Sequence, residues 1–241
     1  MAHHKLHFHP EVEAALANDR PVVALESTLI THGFPQPDNV KIAREIEAAV
    51  REQGAIPATI AILAGQIWVG LTDQQLEDLA ARKAARKCSV RDLPVALAQK
   101  NYGGTTVAAT MMLAHRAGIQ VFATGGIGGI HRPEPLTHDE TAQIQRAFGS
   151  EWDVSADLNE LGRTPITVVC AGMKAFLALS ATLEYLETQA VPVVGYGVDT
   201  LPAFYSRNSG LPLEIRADTP TEVAAIIEAR NQLQLQNRVT V

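Results

Sequence analysis

Short apolar, β-branched runs alternating with stretches of helical periodicity constrain this chain more than any other feature. The runs are Val22-Val23-Ala24-Leu25, Thr59 to Ala64, Val121-Phe122-Ala123, Ile166 to Cys170 and Val191 to Val194. Strands that are apolar on both faces need cover on both faces, so the rhythm predicts a sheet packed between helical layers. Between the first two runs, Ile42, Ala43, Ile46, Ala49 and Val50 recur at helical spacing, and Gly54 stands where a left-handed cap ends such a helix. Thr72 with Gln75, Thr137 with Glu140, and Thr219-Pro220 with Glu222 are helix-start signatures, predicting helices near 73–84, 138–147 and 220–234. Residues 105–117, TTVAATMMLAHRA, are small and apolar on most sides, which predicts a helix buried against the sheet or another subunit.

At 241 residues, with 46% hydrophobic and 19% charged side chains, the chain lies in the globular range. One domain over residues 1–241 is the simplest parsing, with Pro133 to Trp152 reading as a surface insertion. The net charge of −6 and the scattered basic residues argue against a nucleic-acid polymer as partner. No stretch reaches the ~18 consecutive apolar residues of a membrane span, and the opening segment has no apolar core before a cleavage site. A soluble, unsecreted protein with no membrane partner is expected. Cys88 and Cys170 lack CxxC spacing, which argues against a disulfide framework or a zinc knuckle and suits a reducing cytoplasm. His3, His4, His7 and His9 are either a metal site or the ordinary composition of a mobile terminus, and the second reading is preferred.

Several polar side chains stand where packing gains nothing from them. Glu26 follows directly on the apolar strand in VVALEST; it either caps a turn or pairs with a lysine, or it belongs to a site at the strand ends. His32, in the irregular THGFPQP connection, reads as a satisfied loop histidine rather than a ligand. Gly125-Gly126-Ile127-Gly128-Gly129 lets backbone N–H groups approach an anion, or makes a sharp turn with no ligand; it matches neither the P-loop nor GxGxxG. Asp153 and Asp157 flank Ser155 in DVSADL, a spacing that serves a helix N-terminus or a hard-cation site. Lys174 comes just beyond a buried strand and a glycine turn; desolvation there would make it a nucleophile, whereas the commoner lysine snorkels to water. Lys87 raises the same question beside Arg91 and Asp92, which pair with each other or with an anionic ligand.

Taken together, VVALEST, AIPATIAI, KCSVRDLP, TTVA, FATGGIGGIHR, DVSADL, VVCAGMK and TLPAFYSRNSG resemble, in order and approximate spacing, the pseudouridine-5′-phosphate glycosidases, also called the indigoidine-synthase-A-like family. The likeness runs from about Pro10 to Asn237. It implies a three-layer α/β/α sandwich with a central mixed β-sheet, a homotrimer, and a divalent metal of the manganese (Mn2+) type. It also implies an enzyme of the lyase class that reversibly converts pseudouridine 5′-phosphate and water to uracil and ribose 5-phosphate through a lysine adduct, and the cysteines place such an enzyme in the cytoplasm. Matched position by position, Lys174 resembles the nucleophile and Glu26 the proton donor. Asp153 resembles the metal ligand, and Lys87, Val107, Ser155, Ala156 and Asp157 fall on substrate-contacting positions.

The chemistry suits those assignments. The leaving atom is a carbon, so plain hydrolysis by paired carboxylates fits poorly, whereas a lysine that adds to C1′ and an acid that protonates the ring oxygen open another route. Lys87, the glycine turn and the metal on Asp153 are expected to offset the phosphate charge. Two departures from the family pattern stand out: 20 residues separate Arg132 from Asp153 where a shorter link is usual, and the chain stops at Val241 where family members continue into a further helical segment. The first is expected to be partly helical and to act as a lid; the second bears on affinity, turnover or folding. The competing readings are a degenerate relative that binds a sugar phosphate or pyrimidine nucleotide without efficient catalysis, and a Schiff-base aldolase.

Overall fold

The computed structural model describes residues 5–132, 153–233 and 240–241. The 133–152 insertion with its expected helix and lid role, together with His3 and His4, lies outside the described residues. The chain runs β1 (Leu6–Phe8), α1 (Pro10–Ala17), β2 (Val22–Leu25), a wide π-type turn (Leu29–Gly33), α2 (Asp38–Glu52), β3 (Ile56–Leu63) and β4 (Gln66–Val69). It continues with α3 (Asp73–Ala81), β5 (Arg86–Cys88), α4 (Leu93–Ala98), β6 (Gly103–Thr105), α5 (Val107–Arg116) and β7 (Val121–Ala123). Beyond the insertion come α6 (Ala156–Arg163), β8 (Thr167–Val169), α7 (Leu179–Thr188), β9 (Val194–Tyr196), β10 (Ile215–Ala217) and α8 (Pro220–Gln232).

The main sheet has the order β1-β4-β3-β2-β7-β8, with β6 also on β3 and β5 on β6. It is mixed, as expected: β3 is parallel to β2 but antiparallel to β4 and β6. The hairpin from β3 to β4 turns on Ala64 and Gly65, both at positive φ, the backbone that a tight two-residue turn between twisted strands requires. Both faces of β3 are covered. Ile56, Ala58, Ile60 and Ile62 join Val12 and Ala15 of α1 and Met111 and Ala114 of α5 in the main core. Ala61 and Leu63 pack with Leu79 of α3 on another cluster. Each fully buried Ile or Leu contributes about 1.5–3 kcal/mol, so α5, with Met111, Leu113 and Ala114 fully buried, is held by packing rather than by helix propensity.

Three expectations shift. The run at Val191 becomes a strand only from Val194, because Pro192 cannot donate to a ladder, and that strand pairs with β10 outside the main sheet. The helix from Asp73 ends at Ala81, with Thr72 and Gln75 forming the expected capping box. Of the N-terminal histidines, His7 and His9 have defined structural places: His7 lies in an edge strand and stacks on Trp68 at 5.1 Å between ring centres, and the His9 ring accepts the Glu11 N–H at the start of α1.

Candidate active site

Strands β2, β7 and β8 are parallel and end in step, with Leu25 opposite Ala123 and Ala123 opposite Val169. The residues that follow, Glu26, Thr124 and Cys170, therefore meet at the carboxyl edge of the sheet, where open α/β sheets collect ligands. Thr124 Oγ1 donates to Glu26 Oε1 at 2.5 Å. Past Thr124 the glycine turn and the Lys174 loop are laced together: Ala171 N–H donates to Gly125 O at 3.0 Å and Ile127 N–H to Gly172 O at 3.1 Å. Gly172 sits at φ +84° against the Pro202 carbonyl, which leaves no room for a side chain. Gly126 packs on Phe204, whose ring would stand 2.8 Å from an added Cβ.

Gly128 decides what the turn is for. Its N–H donates to Asp157 Oδ2 at 2.9 Å, and Asp157 Oδ1 accepts the Ala108 N–H of α5, also at 2.9 Å. The turn does hold an anion, but it is the protein's own carboxylate, only 8% exposed. Asp157 thereby ties the glycine turn, the start of α5 and the start of α6 into one unit. Ser155 caps α6, its Oγ accepting the Asp157 N–H at 3.2 Å. Thr106 caps α5 in the same way and places Val107 at its first position.

All eight side chains singled out in the sequence, Glu26, Lys87, Val107, Asp153, Ser155, Ala156, Asp157 and Lys174, line one cleft of about 1070 Å³. Asp153 is exposed at its rim, with Oδ2 3.5 Å from His131 Nδ1. Lys174 is exposed, so of the two readings of its surroundings the lysine that reaches water holds and the desolvated one does not, because the loop beyond Gly172 carries it away from the core strand. Lys87 is exposed too, on the outer part of the β5–β6 pair. Neither ammonium has a hydrogen bond or ion pair among the described residues. Asp92, by contrast, is fully engaged, accepting from Arg86 at 3.2 Å and from Ser89 N–H at 3.1 Å, while Arg91 stands 4.0 Å away.

Electrostatics separate the two sides of the cleft. Burial pushes the Glu26 carboxyl above the usual carboxylate range, the Thr124 hydroxyl opposes that rise, the Asp157 charge adds to it, and Lys174 and Lys87 oppose it from across the cleft. Burial also pushes the Cys88 and Cys170 thiols up to about 11, so neither is a competing nucleophile at neutral pH. His32 accepts or donates at 2.7 Å to Thr31 Oγ1 and is not on the cleft wall, as a loop histidine should be.

The model of the family described as indigoidine synthase A like protein matches residues 11–241. The chain belongs to that family. A pseudouridine-5′-phosphate glycosidase of Symbiobacterium thermophilum is 55% identical over 98% of this chain and 73% of its own length. Another from Herpetosiphon aurantiacus is 56% identical over 92% of this chain and 68% of its own. Among solved structures, the indigoidine synthase A-like protein of Thermotoga maritima superposes with a TM-score of 0.85 at 32% identity, covering all of this chain and 74% of that one. The prealnumycin C-glycosynthase AlnA, solved with ribulose 5-phosphate, gives 0.84 at 42% identity over 99% and 73%.

Within this indigoidine synthase A-like fold, the cleft has further walls that sequence reasoning does not reach. Thr28, Thr106, His131, Asn159, Arg163 and Phe176 all contribute. Arg163 is held by Glu160 through two contacts of 2.9 and 2.8 Å, a three-residue spacing on α6 that is legible as a helical ion pair. Among the described residues no group of three His, Cys, Asp or Glu side chains is placed to hold a metal. A lone rim carboxylate therefore suits a hydrated hard cation that keeps most of its waters, not a closed all-protein cage. Nor does any described helix have the length and apolarity to cross a membrane.

Proposed function

We propose that this cleft reversibly cleaves the carbon–carbon glycosidic bond of pseudouridine 5′-phosphate, consuming water and yielding uracil and ribose 5-phosphate. The observation that carries the reading is the opposition of one half-buried, hydrogen-bonded carboxyl, Glu26, to two unpaired lysines, Lys174 and Lys87, among the described residues of a single cleft. The names of the close relatives support the substrate, and the sugar phosphate bound by AlnA supports a pentose phosphate in this fold.

In the cleavage direction Lys174 Nζ, as the neutral amine, bonds to C1′ as the C1′–O4′ bond breaks, and Glu26 gives its proton to O4′, opening the ribose. The adduct nitrogen gives up the proton it gained on bonding, which passes to C5 of uracil; the C1′–C5 bonding pair goes to the ring, and the freed nitrogen lone pair forms C=N to C1′. Water adds to the iminium and releases ribose 5-phosphate and the free lysine. A raised Glu26 pKa keeps this acid protonated closer to neutrality. Lys87 offsets the phosphate charge, and Ser155, Ala156 and Val107 shape the wall against which the nucleotide lies. Asp157 contributes by fixing that wall.

Asp153, with His131 beside it, is the residue that would hold the hydrated divalent cation, manganese by preference. Such an ion supplies charge stabilisation for the phosphate and the opened sugar. We also assign the chain to the cytoplasm, in keeping with two unpaired cysteines, and to a homotrimer, for which the 60%-exposed Phe176 and 90%-exposed Tyr205 offer apolar surface. Sedimentation of the purified protein tests the assembly.

Uracil release from pseudouridine 5′-phosphate, followed by chromatography with manganese and with chelator, tests the function. Release that depends on the metal is expected. Folded protein that binds the nucleotide and releases nothing would replace the enzyme with a binding protein.

A further inference from the structure

Resting on the role of Glu26 just given, we infer that Thr124 is a positioning residue that fixes which oxygen of the Glu26 carboxyl carries the transferable proton. Thr124 is not on the cleft wall, whereas Glu26 is. It stands behind the acid on the neighbouring parallel strand, one step past the Leu25–Ala123 pair, and its backbone is pinned by N–H donation to Val169 O at 3.0 Å. The threonine hydroxyl is thus mounted on a strand end tied to β2 on one side and β8 on the other.

The donor geometry has a chemical consequence. Oε1 accepts the Thr124 hydroxyl at 2.5 Å and is occupied, so the proton of the neutral carboxyl sits on Oε2. No other hydrogen bond fixes Glu26 among the described residues, so without Thr124 the carboxyl is free to rotate and to present either oxygen. An acid that must meet O4′ at hydrogen-bond distance as the C1′–O4′ bond breaks loses rate when its proton is shared between two orientations. The charged groups facing Glu26 are Asp157 of α6, Lys174 of its loop and Lys87 of β5; none of them hydrogen-bonds to it. Thr124 therefore supplies orientation, while those charges set only the background field.

The test uses Thr124→Val, which keeps the shape and removes the donor, and Thr124→Ser, which restores it. Thr124→Val is expected to lower kcat roughly 10- to 100-fold with KM nearly unchanged. Because the hydroxyl favours the ionised form, its loss also moves the Glu26 titration, and the basic limb of the kcat profile, to higher pH. Thr124→Ser should return both toward wild type. The titration is read independently of turnover by infrared difference spectroscopy of the carboxyl band, assigned with Glu26→Gln. A Glu26 titration that is the same in wild type and Thr124→Val overturns the positioning role, whatever the activity. A titration that moves between wild type and Thr124→Val, when the wild type releases no uracil, upholds the contact and overturns the glycosidase reading instead. Equal loss of kcat in the Val and Ser variants, with no movement of the titration, marks Thr124 as packing only.

Discussion

The two walls of the cleft are built on opposite plans. The acid wall is made of strand ends in register: Glu26 is lodged beside β7, hydrogen-bonded by Thr124, and pushed toward its neutral form by burial. The cationic side is made of exposed ammonium groups, Lys174 on a loop and Lys87 on a short outer strand, with no partners among the described residues. Packing and desolvation prepare the acid before any ligand arrives, and a single fixed hydrogen bond suffices to aim it. The lysines remain available, Lys174 to bond to the sugar and Lys87 to act on the ligand by its charge. Asp157 lies between the two plans: it carries a charge yet is held as firmly as a core residue, accepting two backbone N–H groups from different elements.

That contrast is open to attack at four points. Replacing Lys174 by Ala should have the largest effect, a fall in kcat of at least about 10³-fold with an unchanged Tm, since the removed ammonium holds nothing in the fold. Loss of both stability and activity together would show that the lysine side is not free after all. Glu26→Gln comes next, at roughly 10²- to 10⁴-fold in kcat. Wild-type cleavage should decline as pH rises through the raised Glu26 pKa, because the donor must be protonated, and the variant should lack that limb. The same substitution should raise Tm at neutral pH, where the partly desolvated carboxylate is penalised. The gain should vanish below the ordinary carboxylate range, where the acid is neutral in both folded and unfolded chains.

Asp157→Asn puts an amide N–H₂ where one of two N–H donors needs an acceptor. It should cost about 1–3 kcal/mol of stability, seen as a lower Cm in urea, with turnover falling because α5 and the glycine turn lose their shared anchor. Unaltered stability would return Asp157 to a simple ligand-contact role. Smallest is Lys87→Ala, expected to raise KM about 10-fold, less so at high salt, with kcat little changed.

Legibility in the sequence follows length and burial. β2 and β7 are visible as apolar runs because both faces of the sheet are covered, and the Thr72 and Thr219 boxes mark two helix starts to the residue. The three-residue strands β1, β5 and β6 are not visible: Leu6-His7-Phe8, Arg86-Lys87-Cys88 and Gly103-Gly104-Thr105 have no alternation long enough to read, and their pairing is a tertiary decision. The cleft residues are legible through resemblance to a family, not through spacing. What each one does locally is hidden, since the partner of Glu26 lies 98 residues away and the amides that bind Asp157 lie 29 and 49 residues away. The glycine run shows that something approaches closely; only the folded chain shows that Asp157 does.

Borohydride trapping during turnover of pseudouridine 5′-phosphate, followed by peptide mass spectrometry, tests directly whether Lys174 is the nucleophile. A reduced ribose 5-phosphate adduct is expected on the peptide carrying Lys174, formed with release of uracil and absent from Lys174→Ala. Continued uracil release by Lys174→Ala, or an adduct confined to another lysine, would contradict it.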